Sequence, residues 1–324
     1  MILTLDAAGI RANAEDSPGF TANSADYPWS AIGRLNRSSG GFCTGVLIGR
    51  RIVLTAAHCL YNRRTSRWLP ADAIHFLPGY SKGEIRARSV ARDYQIAPGY
   101  DPRRSAEIGT ERSDWALVLL DEPVGDTAGY LGWMHVADQT LAVLNHPGMP
   151  LVEAGYRQSR PYLLSVRPSC EVIEWVSAGG LFFHNCDSIK GESGSPLLAF
   201  AANQFYVVGV HIARVTSNGS GAIGAAVAVP AFNRPLTRSV FRFGHVIGVE
   251  DWGRPEMRIP ASRRQPVATA QQLLTRLGYR PGRADGIMRI ETRDAMQHFQ
   301  RSHGLPRDEV VSVALVGQLF NALE

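Results

Sequence analysis

The chain is poor in lysine, poor in cysteine and free of long apolar runs. Of its 34 basic residues only Lys82 and Lys190 are lysines; the remainder are arginines. They are scattered without a basic block, so the formal charge of +5 reads as a solvated surface and no nucleic-acid partner is expected. No apolar run is long enough to span a bilayer. Met1-Ile2-Leu3-Thr4-Leu5-Asp6 offers neither a basic start nor an apolar core, so no signal peptide is visible. No flavin, nucleotide or metal motif occurs, and neither a cofactor nor a metal is expected. The 4 cysteines include no CxxC pair, which weighs against zinc. Their even count and paired spacing suggest the disulfides Cys43–Cys59 and Cys170–Cys186. These in turn imply a secreted or periplasmic protein; a removed signal is the favoured expectation and export by another route the alternative.

Against these absences stands Lys190-Gly191-Glu192-Ser193-Gly194-Ser195-Pro196. Glycines around a serine allow a sharp turn and a close backbone approach. The N–H groups of Gly191 and Ser193 could then converge on an oxyanion. A plain turn is the competing reading. A serine hydroxyl needs a base to act as a nucleophile. His58 follows the apolar runs Val46–Ile48 and Ile52–Leu54, and Cys59 is next to it. A lone histidine there would read as a packed core residue, but the Cys43–Cys59 pair would fix the loop that presents it. Asp114 opens the apolar stretch Trp115–Leu120. A carboxylate at a buried strand mouth needs a partner, and an imidazole N–H is suitable; a simple strand cap is the alternative.

The order His, Asp, Ser, carried by TAAHC, DWALVLL and GESGSPL, resembles the chymotrypsin-like (trypsin-like) serine endopeptidases; Tyr27-Pro28-Trp29-Ser30 is similar to the segment that opens their first barrel. The resemblance covers roughly 24–245. It implies an all-β fold of two six-stranded barrels with the triad His58, Asp114 and Ser193 in their cleft, and an oxyanion hole from Gly191 and Ser193. In that template the serine attacks the scissile carbonyl, the histidine moves its proton, and the aspartate orients the histidine.

The same resemblance leaves specificity open. Asp187, six residues before Ser193, matches the acid that selects Arg or Lys in trypsin-like pockets, and the reading leans to a basic preference. Yet Ile189 replaces a usual cysteine, and Gly209-Val210-His211-Ile212-Ala213 lacks the Ser-Trp-Gly wall. Ser188 and His211 instead resemble the hydroxyl and histidine with which glutamyl endopeptidases hold an acidic side chain. Glu192 matches an acid that often pairs with a newly cut N-terminal amine; a solvent-facing role or an ion pair with an arginine are the alternatives. No Ile-Val-Gly-Gly precedes Tyr27, and cleavage after Arg11 is a substitute expectation.

Beyond a helix expected near Ala231–Phe243, the chain turns irregular, with Pro255, Pro260 and Pro266. The organisation expected is an N-terminal segment 1–23, a protease domain 24–245, a linker 246–263 and a helical domain 264–324. In the last, Val267, Ala270, Leu274 and Leu277 share one helical face, Ala295, Met296 and Phe299 a second, and Val316, Leu319, Phe320 and Leu323 a third. Gly278 and Gly304 read as helix ends. Leu277-Gly278-Tyr279, Asp285-Gly286, Thr292, Phe299-Gln300 and Gly304-Leu305 resemble the peptidoglycan-binding-domain-like family, although Arg289 and Asp308-Glu309 depart from its pattern. The reading is a serine endopeptidase acting on protein or peptide and targeted to peptidoglycan or a related wall glycan. The alternatives are a non-catalytic or zymogen-locked wall-binding protein built on a protease scaffold, and a helical appendage that simply packs on the protease.

Overall fold

The structure is a computed structural model, described here over residues 19–103, 111–134, 151–176, 180–201, 204–217, 220–229, 231, 267–307, 311 and 313–323. Short apolar runs punctuated by Gly, Pro, Asn and Asp become strands. They are β1 (Phe20–Thr21), β2 (Ile32–Arg37), β3 (Phe42–Leu47), β4 (Ile52–Thr55), β5 (Tyr61–Asn62), β6 (Arg67–Trp68), β7 (Ile74–Pro78), β8 (Ser89–Ile96) and β9 (Ala116–Leu120). Six of them close a barrel in the order β2-β3-β4-β9-β8-β7. All residues of β4 and β9 are buried. Their unbroken apolar runs reflect this, because burial on both faces removes the polar alternation of a half-exposed strand.

The second half contains β10 (Gly132–Trp133), β11 (Leu151–Tyr156), β12 (Leu164–Cys170), β13 (Val172–Val176), β14 (Leu181–His184), β15 (Pro196–Ala201), β16 (Gln204–Ser217) and β17 (Ser220–Ala228). The sheet order is β1-β12-β11-β15-β16-β17-β14-β13, with β10 beside β16. Only Glu171 separates β12 from β13, so two strands far apart in this order belong to one bent stretch of chain. This curled sheet is the second half of the fold. The expected all-β double-barrel fold is present. The helix expected at Ala231–Phe243 lies, beyond Ala231, outside the described residues, as do Arg11 and the expected linker.

The helical periodicity near the C-terminus folds as α2 (Val267–Arg276), α3 (Ile290–Ser302) and α4 (Val313–Asn321), after a single turn α1 (Gly125–Ala128) in the first half. The helical domain is docked on the protease through α2 and α4. The Phe320 ring lies 6.0 Å from Phe20, 6.1 Å from Trp29 and 5.8 Å from Phe205, centroid to centroid. Trp29 Nε1 donates to Thr269 Oγ1 over 3.0 Å, and both residues are fully buried. A Cβ on Gly317 would overlap the Phe200 ring, so only glycine allows the helix this close. Residues of barrels and helices form one continuous apolar core. The helical appendage reading is thus correct about packing. Arg289, where the family pattern differs, pairs with Asp285 at 2.8 Å within the loop that precedes α3.

Truncating Phe320 leaves a cavity shared by helix and barrel. Phe320→Ala is expected to lower the unfolding free energy by about 3–5 kcal/mol, read from urea unfolding followed by tryptophan fluorescence.

Candidate active site

His58 sits in a single 3-10 turn, Ala57–Leu60, that leaves β4 at the cleft between the barrels. Cys59, bonded to Cys43 of β3, pins that turn. Asp114 lies just before β9, which pairs with β4. Adjacent strands therefore deliver the acid to the histidine. Asp114 Oδ1 accepts the His58 backbone N–H at 2.9 Å, and Oδ2 lies 2.7 Å from His58 Nδ1. A carboxylate only accepts, so Nδ1 carries the hydrogen and Nε2 is left with a lone pair as base. Burial first, and then the Asp114 charge, raise the pKa of the nearby Tyr100 phenol.

The loop 189–195 is held by its own peptides and by both barrels. Thr44 of the first barrel gives its N–H to Ser193 O at 2.9 Å and its hydroxyl to Gly191 O at 3.1 Å. Gly194 N–H donates to His211 O, and His211 N–H donates to Ser195 O. Gly191 and Gly194 have φ of +100° and +84°, a region that penalises a side chain. A Cβ on Gly194 would also overlap Thr44 O and Thr55 Oγ1. The N–H groups of Glu192, Gly194 and Ser195 are all engaged, whereas those of Gly191 and Ser193 have no partner among the described residues. Cys59 Sγ packs 3.7 Å from the Ser193 carbonyl oxygen, so the serine and histidine loops touch. His58 Nε2 and Ser193 Oγ make no hydrogen bond with each other; such bonds are often long before substrate binds.

The three specificity candidates separate. Asp187 is not a buried, unpaired acid. Its side chain is 56% exposed, at φ +46°, and lies 3.4 Å from Arg157 and 3.8 Å from Arg214. Two arginines at its own surface position draw it outward. Ser188 and His211, by contrast, are buried. Ser188 Oγ lies 2.6 Å from Glu153 Oε2, and His211 Nδ1 lies 3.1 Å from His184 Nε2. Cys186 N–H donates to His184 Nδ1 at 3.3 Å. His184 must then hold its hydrogen on Nε2 and give it to His211 Nδ1, which leaves His211 Nε2 as a donor. That donor has no partner among the described residues. Burial, reinforced by the Arg167 charge, lowers the His184 pKa to about 3. Burial, then His184, His58 and Arg167, hold His211 well below its ordinary value. Both rings are neutral at pH 7.

Glu192 is fully buried, and Arg167 Nη1 donates to its Oε1 at 2.9 Å. Of the sequence alternatives, the ion pair with an arginine is present. Thr44, Glu153, Arg157 and Arg167 escaped sequence reading because none lies in a motif. The β11–β12 pairing that sets Glu153 opposite Arg167 is the only signal, and it is tertiary. Among the described residues, two clusters hold potential metal ligands within 4.8 Å, Cys43 with His58 and Cys59, and Glu153 with His184 and Cys186. Their sulfurs are in the disulfides Cys43–Cys59 and Cys170–Cys186, so they offer no thiolate.

The family model for trypsin matches residues 17–235, and the chain belongs to that family of serine proteases. A second model, described as a putative peptidoglycan binding domain, matches residues 263–319. Among curated proteins, a glutamyl endopeptidase of Bacillus licheniformis is 28% identical over 206 residues, covering 61% of this chain and 57% of that protein. The chain thus spans little more than half of that relative. A solved structure described as Glu endopeptidase in complex with MPD is 24% identical, with a TM-score of 0.54, covering 68% of this chain and 97% of the other. That likeness concerns the fold. No helix among the described residues is long and apolar enough to cross a membrane. The disulfides, the matched wall-binding domain and the bacterial relative fit secretion.

Two outcomes are expected. Because Asp187 is exposed and already paired, Asp187→Asn should change kcat/KM on peptides with Arg or Lys before the scissile bond by less than about fivefold; a larger drop would restore it to a specificity role. The buried histidines set an acid limit. Unfolded, each takes up a proton near pH 6.5, whereas folded His184 does so only at about 3. Stability is therefore lost as pH falls through that window. Glu153, raised from 4.5 to about 8 by burial first and the Glu192 charge second, works in the opposite sense between those values. Urea unfolding at pH 7 and pH 4 should show His184→Asn losing less stability on acidification than the wild type.

Proposed function

We propose that the protein is a serine endopeptidase that cleaves peptide bonds through Ser193, His58 and Asp114. The observation that carries this reading is the pair of N–H groups on Gly191 and Ser193 that have no partner among the described residues, in a loop that touches the turn of a histidine whose Nε2 is freed by Asp114. Ser193 Oγ attacks the carbonyl, His58 Nε2 takes its proton and returns it to the leaving amine, and Asp114 stabilises the imidazolium. The two N–H groups receive the oxyanion, and water then hydrolyses the acyl-enzyme.

Within this reading the side chain preceding the scissile bond is acidic. Asp187, the one feature in favour of a basic side chain, is turned to solvent and neutralised. The His184–His211 relay leaves a donor on His211 beside the nucleophile loop, suited to a carboxylate. The relative named a glutamyl endopeptidase supports the same preference. The docked helical domain, matched to the peptidoglycan-binding family, would keep the protease near a wall glycan.

Labelling with a serine-reactive phosphonate is expected for the wild type and absent from Ser193→Ala. An unlabelled wild type would favour the scaffold or locked-zymogen alternative. In a peptide library, cleavage should follow Glu or Asp. His211→Ala should reduce kcat/KM on those peptides by about 10–100-fold, the range of a lost hydrogen bond to a charge. Cleavage after Arg alone would end the acidic reading. Pelleting of the full chain with purified peptidoglycan tests the wall partner.

A further inference from the structure

We propose that Arg167 is a positioning residue for the nucleophile loop, an internal cation that holds Glu192 in place and makes the oxyanion site independent of any free N-terminal amine. The inference rests on Ser193 being the nucleophile.

Glu192 lies between Gly191 and Ser193, whose N–H groups have no partner among the described residues, and it is completely buried. Its Oε1 accepts Arg167 Nη1 at 2.9 Å; its Oε2 accepts the Ile189 N–H at 2.7 Å and lies 3.4 Å from Arg157 Nε. Both oxygens are therefore satisfied from within the barrel. A buried carboxylate stripped of its cation is strongly unfavourable. The cheapest relief is for the carboxylate to swing to water, which turns the peptides on either side and disperses the Gly191 and Ser193 donors.

Arg167 is itself held rigidly. It sits on β12 opposite Glu153 of β11, with its side chain 5% exposed. The same Nη1 is 3.5 Å from Glu153 Oε2, which also meets the Ser188 hydroxyl. One guanidinium thus joins the nucleophile loop to the residue beneath a specificity candidate. Burial first and the Glu192 charge second raise the pKa of Glu153 to about 8, while Arg167 and the Ser188 hydroxyl oppose that rise.

The test measures kcat, KM and phosphonate labelling for Arg167→Met and Arg167→Lys, with near-ultraviolet circular dichroism as a check on folding. Arg167→Met should lose about 10²–10³-fold in kcat, the scale of a lost oxyanion donor, with KM changed less than about threefold. Arg167→Lys should recover part of the loss. If Arg167→Met does not fold, the double variant Arg167→Met/Glu192→Gln, which removes both buried charges, replaces it and should also be deficient in kcat. Chemical acetylation of the wild-type N-terminus, verified by mass spectrometry, should leave kcat unchanged. The proposal is overturned if folded Arg167→Met or the double variant keeps wild-type kcat, if lysine rescues nothing, or if acetylation abolishes turnover. A wild type that neither labels nor cleaves would instead defeat the serine endopeptidase reading itself.

Discussion

A fully buried carboxylate one residue before the proposed nucleophile is the constraint around which the second barrel is arranged. Glu192 cannot be left alone in a low-dielectric interior. Its partners come from β12, from the strand end at Arg157 and from the peptide of Ile189. Those partners hold the loop in the shape in which the Gly191 and Ser193 N–H groups have no partner among the described residues. Ordinary buried peptides find partners, so donors kept open are a feature the surrounding structure has to maintain.

The cleft is a joint construction. The first barrel contributes His58, Asp114 and Thr44, and the second contributes the 189–195 loop and His211. Thr44 is the brace across the cleft, since it donates to both Ser193 O and Gly191 O and its hydroxyl receives the Tyr156 N–H. The disulfide Cys43–Cys59 ties the strand carrying Thr44 to the turn carrying His58. The docked helices continue this scheme, because Trp29 lies against both Phe205 of the barrel and Phe320 of α4. The C-terminal domain is thereby part of the protease core as well as a match to a wall-binding family.

Much of this was legible in the chain. Apolar runs bounded by turn residues marked the strands, and the change to a 3.6-residue period marked the three helices. His58, Asp114 and Ser193 stood in segments whose residues are specific in combination. For Asp187 a spacing of six residues says nothing about the direction of a side chain; Arg157 and Arg214, distant in sequence, are the partners it meets. Glu153 and Arg167 were invisible because they acquire meaning only as cross-strand neighbours. His184 read as structural, and only the 3.1 Å contact with His211 makes it part of a donor relay.

The sequence by itself determined the double-barrel fold, the membership of the trypsin family, the cysteine pairing and the helical domain. These depend on local periodicity and on short motifs that survive without knowledge of contacts. Tertiary structure alone decided which charges meet: Arg167 with Glu192, Arg157 with Asp187, the helices with Trp29. Electrostatic and packing energies depend on distance and burial in space, and neither quantity is a property of separation along the chain.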